Sequence, residues 1–412
     1  MIMSLLASLA LLNIAVRPRV AAALSSTGPA FRPDTSDYRA LILSSAPLLD
    51  VRAPVEFLQG SLPGSINCPI LTDSERHLVG TCYKENGQEA AIAMGNELVC
   101  GSSRASRLES WKTFCCDNPT EGYLCCFRGG LRSTTAQSWI EGETGTRYPL
   151  VKGGFKAVRR FLIDELERSL APGSAELVVI GGRTGSGKTL AIQALGGGGI
   201  DLEGLARHRG STFGRIPEDP EQPSQVAFEN GVSIAFLRAL AEYPSPGGRV
   251  YVEDEGGRIG NLQLPLPLRS RMGAADGVAV IEEGMESRLD VLVEDYVVEL
   301  GARFEALKGE ERGKEEHAAF LREGLLRIQK KLGGTRHAEL AGTMEAALTE
   351  QRSTGDTSLH RVWLAALLVE YYDPMYDYQM ERGGREVLFR GDREGVIEWA
   401  AAAAESLERR TI

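Results

Sequence analysis

The stretch Gly182-Arg183-Thr184-Gly185-Ser186-Gly187-Lys188-Thr189 constrains this chain more than any other. It follows the apolar run Leu177 to Ile180 and leads into the helix-compatible Leu190 to Leu195, so G-x-x-x-x-G-K-[ST] stands in the strand, loop and helix context that its mechanism requires. Glycines let backbone amides wrap phosphate oxygens, Lys188 neutralises them, and the Thr189 hydroxyl can ligate Mg²⁺. The phosphate-binding set is therefore Gly182, Gly185, Ser186, Gly187, Lys188 and Thr189. Two further short runs, Arg249 to Val252 and Gly277 to Ile281, have the β-rich character of strands that a parallel sheet buries on both faces. The first continues into Glu253, Asp254 and Glu255. Glu253 and Asp254 are the candidates for the metal-facing side, and periodicity does not choose among the three carboxylates.

Upstream, short apolar runs (Leu48 to Val51, Gly122 to Phe127, Tyr148 to Val151) alternate with helical stretches such as Gln88 to Val99 and Gly154 to Leu170, which is a second α/β layer pattern. Ala171-Pro172-Gly173-Ser174 punctuates the chain between the two. From Ser287 the spacing turns helical, through Glu305 to Leu332, Ala338 to Glu350 and the apolar Leu359 to Tyr372. The expected architecture is α/β: an N-terminal domain over 34–171, a parallel-sheet phosphate-loop domain over 172–300 and a helical region over 301–412. A length of 412 residues suits two or three such domains, and 43% hydrophobic with 25% charged residues excludes disordered and collagen-like classes.

Cys126-Phe127-Arg128-Gly129-Gly130-Leu131-Arg132-Ser133 follows the strand-like Tyr123 to Cys125 and precedes a helical stretch, Thr134 to Ile140. A strand, a glycine loop and a helix start set Cys126 above backbone amides, where the helix dipole, Arg128 and Arg132 are expected to favour the thiolate. Cys126, Arg128 and Arg132 are thus the catalytic candidates. The Cys-x5-Arg spacing is shared by phosphatases, arsenate reductases and sulfurtransferases.

The upstream string Asp50-Val51-Arg52-Ala53-Pro54-Val55-Glu56-Phe57, with Gly60, Pro63-Gly64 and Pro69, resembles the opening of a rhodanese domain. The resemblance implies a rhodanese-like N-terminal fold braced by Asp50, Arg52 and Glu56, with Cys126 carrying a chalcogen. The cysteine loop is longer than the usual rhodanese loop. A rhodanese-like domain ahead of a phosphate-loop domain, together with the strings Glu75 to Lys84, Gly87 to Ala91, Pro149 to Ala157, Gly199 to Ala206, His208 to Ser211 and Glu370 to Tyr378, resembles the tRNA 2-selenouridine synthase family over roughly Leu48 to Trp399. That family implies a transferase that edits wobble 2-thiouridine in tRNA. Geranyl diphosphate first alkylates the sulfur, and selenophosphate then displaces the geranylthiol to leave 2-selenouridine. The phosphate loop would hold one of these phosphorylated co-substrates, with Mg²⁺ a possible companion and no tightly bound cofactor expected. Cys126 would handle the chalcogen or attack the base.

A net charge of -10 argues against RNA binding by bulk charge, yet 126–215 holds thirteen Lys and Arg against eight Asp and Glu. Arg159, Arg160, Arg207 and Arg209 are the first choices for tRNA contact. The five histidines share no metal-ligand spacing and the seven cysteines lack paired CxxC, so no metal site is expected. The cysteines read as reduced thiols. Before the first acidic residue, Asp34, an apolar run from Leu5 to Val16 with Arg17, Arg19 and Arg32 resembles an organelle targeting segment, as an alternative to a cytoplasmic protein. No stretch has the length of a membrane span. The competing classes are a Cys-x5-Arg phosphatase or sulfurtransferase, which leaves the phosphate loop idle; an ATPase or kinase, which leaves Cys126 idle; and a non-catalytic RNA-binding module. The number of subunits in the assembly is not legible in the sequence.

Overall fold

A computed structural model of the protein describes residues 32–218, 222–242 and 248–408. The apolar run Leu5 to Val16, with Arg17 and Arg19, lies outside the described residues. The N-terminal unit is built on a parallel sheet of β1 (Leu48–Asp50), β2 (Ile66–Asn67) and β3 (Tyr123–Cys125) in the order β2-β1-β3. The run Tyr148 to Val151 joins it through a single bridge from Leu124 to Leu150, and Thr35 bridges in turn to Val151.

At the end of β1 the buried Arg52 lies against Asp50, with Nη2 to Oδ2 at 2.7 Å, while Nη2 also donates to Gly60 O at 2.9 Å. The guanidinium lies 4.0 Å from the centre of the Phe155 ring. Low-dielectric surroundings strengthen this pair and make each member dependent on the other. The helix expected over Gln88 to Val99 begins much earlier, as Asp73–Leu98, because Thr72 and Glu75 form a reciprocal capping box; Gly87, at φ +83°, interrupts it.

The second unit has a five-stranded parallel sheet, β4 (Glu176–Gly182), β5 (Gly199–Ile200), β6 (Arg249–Glu253), β9 (Gly277–Ile281) and β10 (Val387–Gly391), in the order β10-β9-β4-β6-β5. The strands β7 (Arg258–Ile259) and β8 (Leu262–Gln263) form a small antiparallel hairpin beside it. Helices from Met285 to Gly383 pack on a separate core around Phe213, Leu321 and Trp363. The region expected to be helical over 301–412 therefore also contains a strand: β10 pairs with β9, and the following helix Arg393–Glu408 covers the sheet. Its five residues are mostly half-exposed at the sheet edge, so they lack the buried-strand pattern of β6 and β9. Among the described residues no helix is long and apolar enough to cross a membrane.

The two units join along helices Gly154–Ser169 and Gln225–Glu242. Phe155, Val158 and Leu162, spaced three and four apart, meet Ile234 and Leu237 in one buried cluster. Arg159 Nη1 donates to Asn230 Oδ1 at 2.9 Å, Arg159 Nη2 pairs with Glu229 at 2.6 Å, and Asn230 reaches Ser61 O at 3.0 Å.

Replacing Asp50 with alanine leaves the Arg52 charge buried and unpaired. Asp50→Ala is expected to lower the unfolding free energy by about 3–5 kcal/mol, measured by urea denaturation followed by circular dichroism. An unchanged midpoint would mean that Gly60 O and Phe155 satisfy Arg52 alone.

Candidate functional site

The phosphate loop leaves the carboxyl end of β4 and enters helix Lys188–Ala194. Gly185 and Gly187 adopt φ of +82° and +78°. The positive φ favours glycine at both, and at Gly185 space does too, since a Cβ there would stand 2.8 Å from the backbone Arg288 O. Lys188 arches back, its Nζ donating to Gly182 O at 3.1 Å. Ser186 is 1% exposed, and its Oγ has no partner among the described residues. Ser186 also borders a cavity of about 410 Å³ shared with Arg183, Arg288, Tyr376 and Arg390.

Carboxylates gather on the other flank. Thr189 Oγ1 donates to Glu203 Oε2 at 3.1 Å, and the Glu203 amide donates to Glu253 Oε2 at 3.0 Å. Glu253 is fully buried at the end of β6, and its Oε1 has no partner among the described residues. Burial, then the neighbouring Glu203 and Asp201, push its carboxyl up to about 8. Glu255 rises to about 9 through burial and Glu203, against the opposing pull of Lys188. Asp254 points elsewhere, because alternate strand residues face opposite ways. Arg385 holds it with two bonds of 2.9 and 2.8 Å, which corrects its candidacy for the metal-facing side. Glu203 was missed as a partner of the phosphate loop; it comes from the short helix Leu202–Ala206, and only the fold brings it to Thr189. Among the described residues no group of three His, Cys, Asp or Glu side chains forms a ready-made metal site.

The cysteine loop connects β3 to helix Leu131–Thr144. Cys126 is buried, with Sγ 3.1 Å from Ser133 Oγ. Its carbonyl accepts from Phe155 N at 2.8 Å, and Lys156 N reaches Phe127 O at 2.9 Å. Gly154 has to be glycine there, since its φ is +59° and a Cβ would collide with Cys126 O. Among the described residues the amides of Arg128, Gly129 and Gly130 donate to no acceptor, which leaves them free for an anion. The arginines are placed differently from the expectation. Arg132 pairs with Glu56, and Arg128 lies 5.8 Å from the centre of the Phe127 ring; neither bonds to Cys126 Sγ. Burial would raise the Glu56 carboxyl, but the Arg132 bond and charge, with help from Ala53 N and Arg76, hold it below the usual range.

Both loops lie toward the carboxyl edge of the second unit's sheet. Helix Gln225–Glu242 leads into the start of β6 and helix Gly154–Ser169 toward the start of β4, so both helices begin near the carboxyl edge of the sheet. The cysteine loop caps the beginning of the second helix, and the phosphate loop ends β4 at that same edge.

The arginines chosen for RNA contact divide. Arg159 is tied into the unit interface by Glu229 and Asn230, and Arg209 is held by Asp295 and Glu299, so each already has half-buried carboxylate partners. Arg160 is exposed and among the described residues pairs with Asp164 on its own helix, while Arg207 lies 3.6 Å from Glu218. Exposed Arg128, Lys152 and Lys156 surround the cysteine loop and have no ion-pair partner among the described residues. Arg393, from the last helix, reaches the phosphate loop with a buried Nη1 that has no partner among the described residues. It lies some two hundred residues from that loop in sequence, beyond the reach of any local motif.

Fold and loop together define a phosphate-loop domain of the AAA type, and the family model described as the tRNA 2-selenouridine synthase AAA domain matches residues 175–407. Curated relatives named tRNA 2-selenouridine synthase include those of Marinobacter nauticus, 47% identical over 90% of this chain and 98% of its own length, and Alcanivorax borkumensis, 47% identical over 89% and 98%. That of Cronobacter sakazakii is 48% identical over 89% and 96%. The chain belongs to the tRNA 2-selenouridine synthase family. A solved N-terminal domain of a putative ATP/GTP-binding protein from Clostridium difficile 630 is 27% identical, covering 28% of this chain and 88% of its own, with a TM-score of 0.25.

The raised carboxyls beside Thr189 fix a pH dependence. Folded Glu253 and Glu255 hold protons that the unfolded chain has already released above about pH 4.5. Without divalent cation, the thermal midpoint is therefore expected to fall as pH rises from about 5 to about 9. Glu253→Gln should flatten that slope in differential scanning fluorimetry; an equal slope would mean that Glu253 carries no extra proton in the folded state.

Proposed function

We propose that this chain replaces sulfur with selenium at wobble 2-thiouridine of tRNA, by way of an S-geranyl intermediate. The observation that carries the reading is near-half identity across nine-tenths of the chain, a stretch that includes both loops, with relatives named for 2-selenouridine synthesis. The scheme balances. The thiocarbonyl sulfur attacks C1 of geranyl diphosphate, a C–S bond forms, a C–O bond breaks and diphosphate leaves. Selenium of selenophosphate then adds at C2, geranylthiol leaves, and water cleaves the P–Se bond to give phosphate and 2-selenouridine.

The phosphate loop binds a phosphorylated co-substrate. Its amides and Lys188 neutralise the oxygens, and the unpaired Arg393 Nη1 stands ready as a second cation. The orphaned Glu253 Oε1 and the Thr189 hydroxyl fit a Mg²⁺ completed by phosphate oxygens, which is how that ion is commonly held; bound there, it would supply positive charge to the phosphate. The rhodanese-like cysteine loop handles the chalcogen or the base. Ser133 Oγ lies 3.1 Å from Cys126 Sγ and can hydrogen-bond to it, and the free amides of residues 128–130 can hold an oxyanion or selenide beside it. Arg128, Lys152 and Lys156 steer RNA phosphates to that mouth.

Purified protein given tRNA with wobble 2-thiouridine, geranyl diphosphate and selenophosphate is expected to yield 2-selenouridine by nucleoside mass spectrometry. Cys126→Ala should reduce the product to background, and Lys188→Ala should slow its formation about 10- to 100-fold, the loss of one charged phosphate contact. No geranylated or selenated nucleoside under any condition would return the chain to the phosphatase or ATPase classes.

A further inference from the structure

The arginines expected to attend Cys126 are engaged elsewhere, Arg132 with Glu56 and Arg128 beside the Phe127 ring. Cys126 is only 2% exposed, and burial works against a charged sulfur, so some other group has to answer for the thiolate. The side chain within reach is Ser133, whose Oγ lies 3.1 Å from Sγ. It stands in the first turn of helix Leu131–Thr144, which carries no acidic residue there, and it is 0% exposed. No water competes for its hydroxyl.

That hydroxyl has one proton and two neighbours that can accept it. Ser133 Oγ donates to Gly130 O at 3.0 Å, which leaves its lone pairs to accept from the Cys126 thiol. Gly130 O also accepts from Ser133 N at 3.0 Å and from Thr134 N at 3.1 Å, so it remains satisfied if the hydroxyl turns away. Rotation about one side-chain bond therefore converts an acceptor for S–H into a donor to the thiolate, with no movement of the backbone. The ionisable groups on the surrounding elements have places of their own. Asp50 at the end of β1 pairs with Arg52, Glu56 with Arg132, Cys125 is buried next in the chain, and Arg128 and Lys156 are exposed.

We propose that Ser133 is a positioning residue for Cys126: its hydroxyl turns from Gly130 O to Sγ as the thiol gives its proton to solvent. The thiolate is then held beside the free amides of residues 128–130. The inference rests on the proposed function, in which Cys126 is the reacting sulfur, and assigns the group that keeps that sulfur in its reactive form. Serine takes the role that the loop arginines were expected to fill.

The test is a pH titration of the ultraviolet thiolate absorbance of the full chain, each protein being read against the same protein carrying Cys126→Ala. Losing one hydrogen bond to a charged group should move the Cys126 midpoint up by about one to two pH units in Ser133→Ala. Ser133→Thr keeps the hydroxyl and should titrate like the unaltered protein, while Ser133→Val, of the same size without it, should titrate like the alanine variant. Threonine and valine midpoints that coincide, or an alanine midpoint that does not move, would reduce Ser133 to a space-filling residue and overturn the assignment. In the nucleoside assay Ser133→Ala should lose at least about tenfold in rate at neutral pH and regain it as pH rises through the displaced midpoint. A loss of equal size at every pH would count as damage to the fold and also overturn it. The titration needs neither tRNA nor co-substrate, so an unaltered protein that makes no 2-selenouridine would remove the proposed reaction while the midpoints still decide the role of Ser133.

Discussion

The contact between helices Gly154–Ser169 and Gln225–Glu242 is what the rest of the molecule depends on. The first helix is fixed at its start by the cysteine loop, through Phe155 N to Cys126 O, and along its length by Ile234 and Leu237. The second is fixed by the sheet whose central strand carries the phosphate loop. A buried apolar seam of this kind resists sliding, because interiors are close-packed and a small displacement opens voids. Two loops with different chemistry are thereby held toward one side, and the polar ties through Arg159 and Asn230 set the register of the seam.

Electrostatics divides the site into two districts. Around Thr189 the carboxylates Glu203, Glu253 and Glu255 crowd together, and burial with that crowding pushes the Glu253 and Glu255 carboxyls up. Around the cysteine loop the exposed cations Arg128, Lys152 and Lys156 remain available, with Arg132 tethered to Glu56 behind them. The overall charge of -10 conceals this separation, since charge averaged over a chain says nothing about where the field is strong.

Much of the architecture could be read before any coordinates. The parallel sheet around Val178, Val252 and Val280 was legible because strands buried on both faces must be continuously apolar. Gly185, Gly187 and Lys188 were legible because phosphate wrapping demands that spacing. The strand Val387–Gly391 was not, because an edge strand buries little and follows a long helical run. Charge counting cannot see acids from elsewhere in the chain: Glu229 pairs with Arg159, and Asp295 and Glu299 pair with Arg209.

Sequence alone determined the chemistry available at each loop: a thiol above glycines at Cys126, and an ammonium and hydroxyl after glycines at Lys188 and Thr189, each dictated by local backbone geometry. Tertiary structure decided which groups serve them. Glu203 reaches Thr189, Arg393 reaches Gly187, Glu56 takes Arg132 away from Cys126, and a cavity opens beside Leu131. These are contacts between segments distant along the chain, fixed by packing, and no local pattern encodes them.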